Sequence, residues 1–199
     1  MGLGEIARKA VHMLGVFTIP LLQQLGPVRT AVLFFALAIG LYIYPSFAEA
    51  AQKTPFRRLS EVFRGVLDFL ERKDHKRYRG AMHFFASIGL ISLVFPTNVV
   101  SVAVIVLCIG DGVSTLIGLR FGKNRLFHNK SKSWEGSLSG FIASTAVCLF
   151  VTNLPMAAFA SFVGMLVESL DAKIDDNISV PFAVSTASSI VVYSGLLAF

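Results

Sequence analysis

GDGVSTLIGLRFGKNRLFHNKSKSWEG, residues Gly110 to Gly136, sets an aspartate between two glycines at the end of an otherwise apolar run. The stretch passes Gly118 and Gly122, gathers Arg120, Lys123, Arg125, Lys130 and Lys132, and closes on Lys132-Ser133-Trp134-Glu135-Gly136. An ionisable residue inside a hydrophobic span is costly and by default marks a functional site. Asp111, Thr115, Gly118 and Gly122 fall at i, i+4, i+7 and i+11, on one helical face. The glycines taken alone read as helix packing, since Gly118-xxx-Gly122 is a small-xxx-small pattern. With Asp111 on their face and Lys123 and Lys132 just beyond, the face reads as a groove where phosphates or a metal approach the backbone.

Working outward, the 199 residues amount to about one domain. The composition is that of a membrane protein: 54% hydrophobic and 15% charged residues, with a mean hydropathy of +0.68. Uncharged stretches recur near the roughly 20 residues a spanning helix needs. They lack the period-2 alternation of barrel strands, so they are helices. The expected fold is all-α: a polytopic membrane protein of about seven transmembrane helices, forming one domain over 1–199. The spans are placed at 7–25, 29–48, 80–96, 98–119, 135–152, 155–170 and 178–198. Between the second and third, Leu59, Val62, Phe63, Val66, Leu67 and Leu70 trace one helical face. This predicts a cytoplasmic interfacial helix at about 58–72, apolar side toward the membrane.

The basic residues set the orientation. Of the 18 Lys and Arg, two lie at the start of span one and nine between spans two and three. Five more lie between spans four and five and one between six and seven, leaving only Arg29 on the other side. By the positive-inside rule the N-terminus is cytoplasmic and the C-terminus lies opposite. The net charge of +6 is therefore a matter of topology rather than of nucleic-acid binding. The N-terminal segment lacks a signal-peptide cleavage pattern and is read as retained. Cys108 and Cys148 sit in apolar runs without metal-ligand spacing. Nothing in the chain speaks to oligomeric state.

The other unusual polar residues fall on the same cytoplasmic side. Glu5, Arg8 and His12 share a face of span one, with Lys9 beside them. His12 in the membrane is read as a neutral hydrogen-bond donor. His83, His75 and His128 carry no comparable case. Lys132 and Glu135 are either an ordinary i,i+3 salt bridge or a phosphate clamp with an orienting carboxylate. Glu168, Asp171, Asp175 and Asp176 bring four carboxylates within nine residues, followed by Asn177. Hard oxygen ligands beside a phosphate site suit Mg²⁺. A transporter would place its polar groups at mid-membrane. Here the outer half is bland, which favours an enzyme joining a cytosolic phosphate donor to a lipid-embedded acceptor.

Several motifs carry a family resemblance. Arg8-Lys9-Ala10-Val11-His12 resembles an R-K-x-x-H element, and Tyr78-Arg79-Gly80 the opening of a third helix. Gly110-Asp111 through Gly118 and Gly122 is similar to G-D-x-x-A-x-x-x-G-x-x-x-G, and Lys132-Ser133-Trp134-Glu135-Gly136 to K-S-x-E-G. Val167-Glu168-Ser169 and Asp175 to Pro181 resemble the last element in its phytol-kinase version. Together, in order, these resemble the CTP-dependent lipid-alcohol kinases, among them dolichol and phytol kinases. One departure is Ser114 or Thr115 where the family often has alanine.

The resemblance implies transfer of the γ-phosphoryl group of CTP to an isoprenoid alcohol or glyceride lipid, with Mg²⁺. It implies Asp111 as metal ligand or proton acceptor, with Glu168 and Asp176 completing the metal site. Lys132, Lys123, Ser133 and the glycines Gly118, Gly122 and Gly136 would meet the nucleotide. Glu135 would act beside Lys132, Asn177 would support the metal site, and Arg8, Lys9 and His12 would close it. The alternative is a phosphatidate cytidylyltransferase, whose longer chain carries S-P-x-K-T-x-E-G where this one has Ser131-Lys132-Ser133.

Overall fold

The computed structural model describes residues 3–51, 54–55, 57–70, 78–170 and 173–199. Among them every regular element is a helix, with one isolated bridge between Arg125 and Ser133. In order, the elements are α1 (Leu3–Leu14), a 3₁₀ turn (Gly15–Phe17), α2 (Thr18–Ala51), α3 (Arg57–Leu70) and α4 (Arg79–Val94). There follow α5 (Thr97–Ile105), a π-helical turn (Val106–Asp111) and α6 (Gly112–Phe121). The chain ends with α7 (Trp134–Cys148), α8 (Leu154–Ser169) and α9 (Asp176–Tyr193).

Local chemistry sets the breaks. α2 is interrupted at Gly26, with φ 73° and ψ 174°, a region open essentially to glycine alone. Pro27 follows, and the chain doubles back there. Gly15 adjoins Phe84 near the start of α4, while on the far side of the break Phe34 meets Phe85 edge-on and Tyr44 lies tilted against Tyr78. Asn153 caps α8 by accepting from the Met156 amide, ahead of Pro155 in the first turn. Ser133 and Asp175 cap α7 and α9 in the same way, accepting from the Gly136 and Asn177 amides.

The rod formed by α5, the π turn and α6 is the axis of the molecule. Residues Val99 to Cys108 are wholly buried, packed by α2, α4, α7, α8 and α9. α6 and α7 approach most closely through glycine: a Cβ on Gly140 would come within 2.6 Å of Gly110 O, and one on Gly136 within 2.5 Å of Ser114 O.

Helices occupy the segments expected to span, and among the described residues some of them have the length and hydropathy of a membrane crossing. Two stretches, Gly4–Ala50 counted through the Gly26 break and Thr97–Phe121, are long and apolar enough to cross a membrane. Arg79–Val94 and Leu154–Ser169 are apolar but shorter. The expected interfacial helix corresponds to α3, which lies against α1 and α2. Its expected last residues 71–72 lie outside the described residues, as do Lys53, Lys73, Lys76, Arg77 and Asp171.

Candidate active site

The π turn delivers Asp111 to the junction of α1, α6, α8 and the start of α9. In a π turn the hydrogen-bond ladder shifts from i+4 to i+5. Leu107 O here receives the His12 ring, whose Nε2 lies 3.2 Å away. With its proton on Nε2, His12 also faces Asp111 Oδ2 at 3.3 Å, its ring edge-on to Phe84. Lys9 Nζ donates to the same Oδ2 at 2.6 Å, and both side chains are buried. Thr115 Oγ1, one turn along α6, donates to Asp111 Oδ1 at 3.2 Å. Both oxygens of Asp111 are thus fixed by donors from two helices.

Glu168 reaches the same place from α8 and is 1% exposed. Its Oε1 accepts from Ser114 Oγ at 2.9 Å and from Lys132 Nζ, while its Oε2 is buried with no hydrogen-bond partner. Lys132 Nζ also lies 3.8 Å from Asp176 Oδ2, at the first turn of α9. Oxygens of Asp111, Glu168 and Asp176 all lie within 4.8 Å of one another. Burial pushes the Asp176 carboxyl up to about 6, opposed by Lys132 and reinforced by Asp111 and Glu168. Burial lowers the Lys132 ammonium, but Glu168, Asp111 and Asp176 outweigh it and the net shift is upward.

Three carboxylates, two lysines and a histidine therefore converge from four helices and one loop. An ionised carboxylate oxygen without a partner, almost free of solvent, is expensive to bury. Glu168 Oε2, buried and without a partner beside two further carboxylates, has the chemistry of an oxygen that a hard divalent cation ligates, so the donor set fits Mg²⁺.

The remaining expected residues lie elsewhere. Glu135 does not pair with Lys132; its carboxylate accepts from the Asn124 amide and from Asn124 Nδ2 at 2.8 Å. Arg8 turns to Glu5, with contacts of 2.5 and 3.3 Å, rather than to Asp111. The space beside Gly118, Gly122 and Gly136 is filled: added Cβ atoms would meet Ser133 Oγ at 3.1, 2.5 and 3.2 Å. The open groove read from the sequence is here a tight α6–α7 contact with Ser133 in it. Lys123 is exposed. Asn177 packs behind the site, its amide and Nδ2 bonded to Asp175 Oδ1 and its carbonyl accepting from Ser87.

The structure adds residues that spacing did not reveal. Ser114 joins α6 to Glu168. Asn129, buried in the loop before α7, donates to Ser169 O and holds Ser131 through its Oδ1. His128 Nε2 lies 3.2 Å from the same Ser169 O. These contacts seat the loop on the end of α8, beside Glu168, and so present Lys132 to it. His83 lies 3.3 Å from Asp175 Oδ2. Residues 128–133 carry no spacing that marks these contacts in the sequence.

No protein-family profile matches the chain, and no solved structure does. Curated relatives do. The chain is 29% identical to phytol kinase 1, chloroplastic, of Arabidopsis thaliana over 217 residues, covering 92% of this chain and 66% of that protein. It is 37% identical to a probable chloroplastic phytol kinase 1 of Glycine max over 126 residues, 53% of this chain and 41% of that one. It is 26% identical to the chloroplastic farnesol kinase of Arabidopsis thaliana, over 89% of this chain and 66% of that protein. The chain spans less than two thirds of these relatives' length. The alignments with phytol kinase 1 and farnesol kinase run over nearly all of this chain, so its motifs and the residues between them tell the same story: along most of its length it is similar to phytol and farnesol kinases.

Proposed function

We propose that this chain is a lipid-alcohol kinase that transfers the γ-phosphoryl group of CTP to an isoprenoid alcohol (phytol, geranylgeraniol, dolichol or another polyprenol) at the cytoplasmic face of a membrane. The observation that carries the reading is the meeting of Asp111, Glu168 and Asp176 with Lys132 and Lys9 at one end of an apolar helical bundle. Relatives named phytol and farnesol kinases support the acceptor class. CTP as donor rests on the motif resemblance.

Phosphoryl transfer asks little covalent help of the protein; it asks for in-line positioning and cations on the transferring oxygens. Asp111, Glu168 and Asp176 would hold Mg²⁺, which when bound neutralises phosphate charge. Lys132, anchored by the docked loop, would turn from Glu168 to the phosphates. Lys9 and His12 would hold Asp111 in place. One carboxylate of the trio would take the hydroxyl proton as the bond from the alcohol oxygen to the γ-phosphorus forms and the bond from that phosphorus to the leaving CDP breaks.

The proposal includes seven membrane crossings in a single domain, with the N-terminus and the site cytoplasmic and the C-terminus opposite. Its support is the Gly26 turn, which makes two antiparallel segments of residues 3–51, and the one-sided distribution of Lys and Arg.

The test uses purified protein, Mg²⁺, a panel of polyprenols and CTP labelled on either the α or the γ phosphate. Label from the γ position alone should reach the lipid. Label from the α position would instead mean cytidylyl transfer, and label from neither would overturn the kinase reading.

A further inference from the structure

The departure at residue 114 looks at sequence level like a packing detail; the structure gives it chemistry. Ser114 is 3% exposed, three residues beyond Asp111 on α6, with its hydroxyl facing α8. A hydroxyl has one proton to donate. Ser114 has two acceptors in reach, Asp111 O at 3.2 Å and Glu168 Oε1 at 2.9 Å. The carboxylate is nearer and its bond is charge-assisted, so it takes the proton. Thr115, the next residue, does the same for Asp111 Oδ1. One turn of α6 therefore holds one oxygen of each of two carboxylates that come from different helices.

We infer that Ser114 is a positioning residue for a divalent cation: by engaging Glu168 Oε1 from α6, it fixes Glu168 and leaves the buried, unpartnered Oε2 to the cation. Three observations converge on this. Glu168 Oε2 is buried and unpartnered while Oε1 carries both donors. The three carboxylates present oxygens within 4.8 Å of one another. Lys132, the other partner of Oε1, comes from a loop and is needed for phosphate in the proposed reaction, so it cannot hold Glu168 throughout. Ser114, fixed in a buried helix, can. Groups that orient a metal ligand typically change metal affinity by about 10- to 100-fold when removed. The inference rests on the kinase reading for its purpose, but its test needs no turnover.

The probe is Mn²⁺ alone, titrated into the purified full chain in detergent and followed by electron paramagnetic resonance. Ser114→Ala deletes only the hydroxyl and leaves the backbone contact with Gly136 in place. The expected result is one tight Mn²⁺ site in the parent, an affinity lower by about 10- to 100-fold in Ser114→Ala, and unchanged melting of the two proteins without metal. Glu168→Gln serves as the reference for full loss of the site. Equal Mn²⁺ affinity in Ser114→Ala and parent would overturn the inference. So would a parent that binds no Mn²⁺, or a Ser114→Ala chain that melts earlier without metal, which would make the hydroxyl a packing element. Labelled-CTP transfer by the parent judges the kinase reading separately.

Discussion

Lys9 and Asp111 meet where neither charge is stable alone. Both side chains are buried and joined at 2.6 Å, so removing one leaves the other charge unpaired away from water. Breaking such a pair costs about 3–5 kcal/mol, whereas replacing both members is often close to neutral. Lys9→Met should therefore lower the stability of the protein in detergent by about that amount. The double variant Lys9→Met with Asp111→Asn should recover most of it and still show no phosphoryl transfer. Parental stability in Lys9→Met would show that the pair does not hold α1 to α6. Asp176 supplies a second test. Its folded pKa, raised by burial to about 6, lies above the ordinary carboxylate value. The folded chain thus keeps this proton longer than the unfolded one, and ionising Asp176 costs stability as pH rises from the ordinary carboxylate range to about 6. A bound divalent cation favours the ionised form and offsets that cost. Mn²⁺ affinity should accordingly fall as pH drops through about 6; a flat profile across that range would exclude Asp176 as a ligand.

The α6–α7 contact is where single atoms decide how elements pack. A methyl group on Gly136 would come within 2.5 Å of Ser114 O and 3.1 Å of Gly118 Cα, both backbone atoms that cannot swing aside. Gly136→Ala should destabilise the chain by about 1–3 kcal/mol. It should also weaken Mn²⁺ binding, because the clash with Ser114 O would push Ser114 away from Glu168. Gly4, with open space where its Cβ would stand, is the control: Gly4→Ala should be neutral or slightly stabilising. Equal melting temperatures for the two variants would show that the glycine contact has slack. These elements also show what the sequence makes legible. Gly26-Pro27, Asn153-Leu154-Pro155 and Ser133 mark their breaks by backbone rules that act over two or three residues, so helix ends there could be placed. The π turn could not, because Val99 to Cys108 is buried on every side and a uniformly apolar run carries no phase from which to read a change of helical pitch. The partner of Lys132 was equally hidden. Local spacing offered Glu135, but the actual partner, Glu168, is set by how Asn129 and His128 seat the loop on Ser169.

At the scale of the molecule, one end of the bundle gathers the site and the other gathers short connections. Lys9, Asp111, Lys132, Glu168 and Asp176 meet at the first, while Asn153 bonding Ala198 O belongs to the second. The proposed seven-span arrangement, read from the one-sided placement of Lys and Arg, rests on each crossing switching the chain between two sides. The proposed arrangement puts three crossings between Arg125 and the C-terminal segment, and so sets them on opposite faces. Cys108 and Cys148 are buried and free, so a single cysteine introduced at an exposed position reports its own side. Arg125 and Leu196 are both exposed and lie outside the apolar helices. In sealed vesicles with the native orientation, a membrane-impermeant maleimide added outside should label Leu196→Cys at once. It should label Arg125→Cys only after the membrane is opened. Labelling of both positions from the same side would require an even number of crossings between them, and the seven-span arrangement would fall, while the site geometry, which depends on helix contacts alone, would stand.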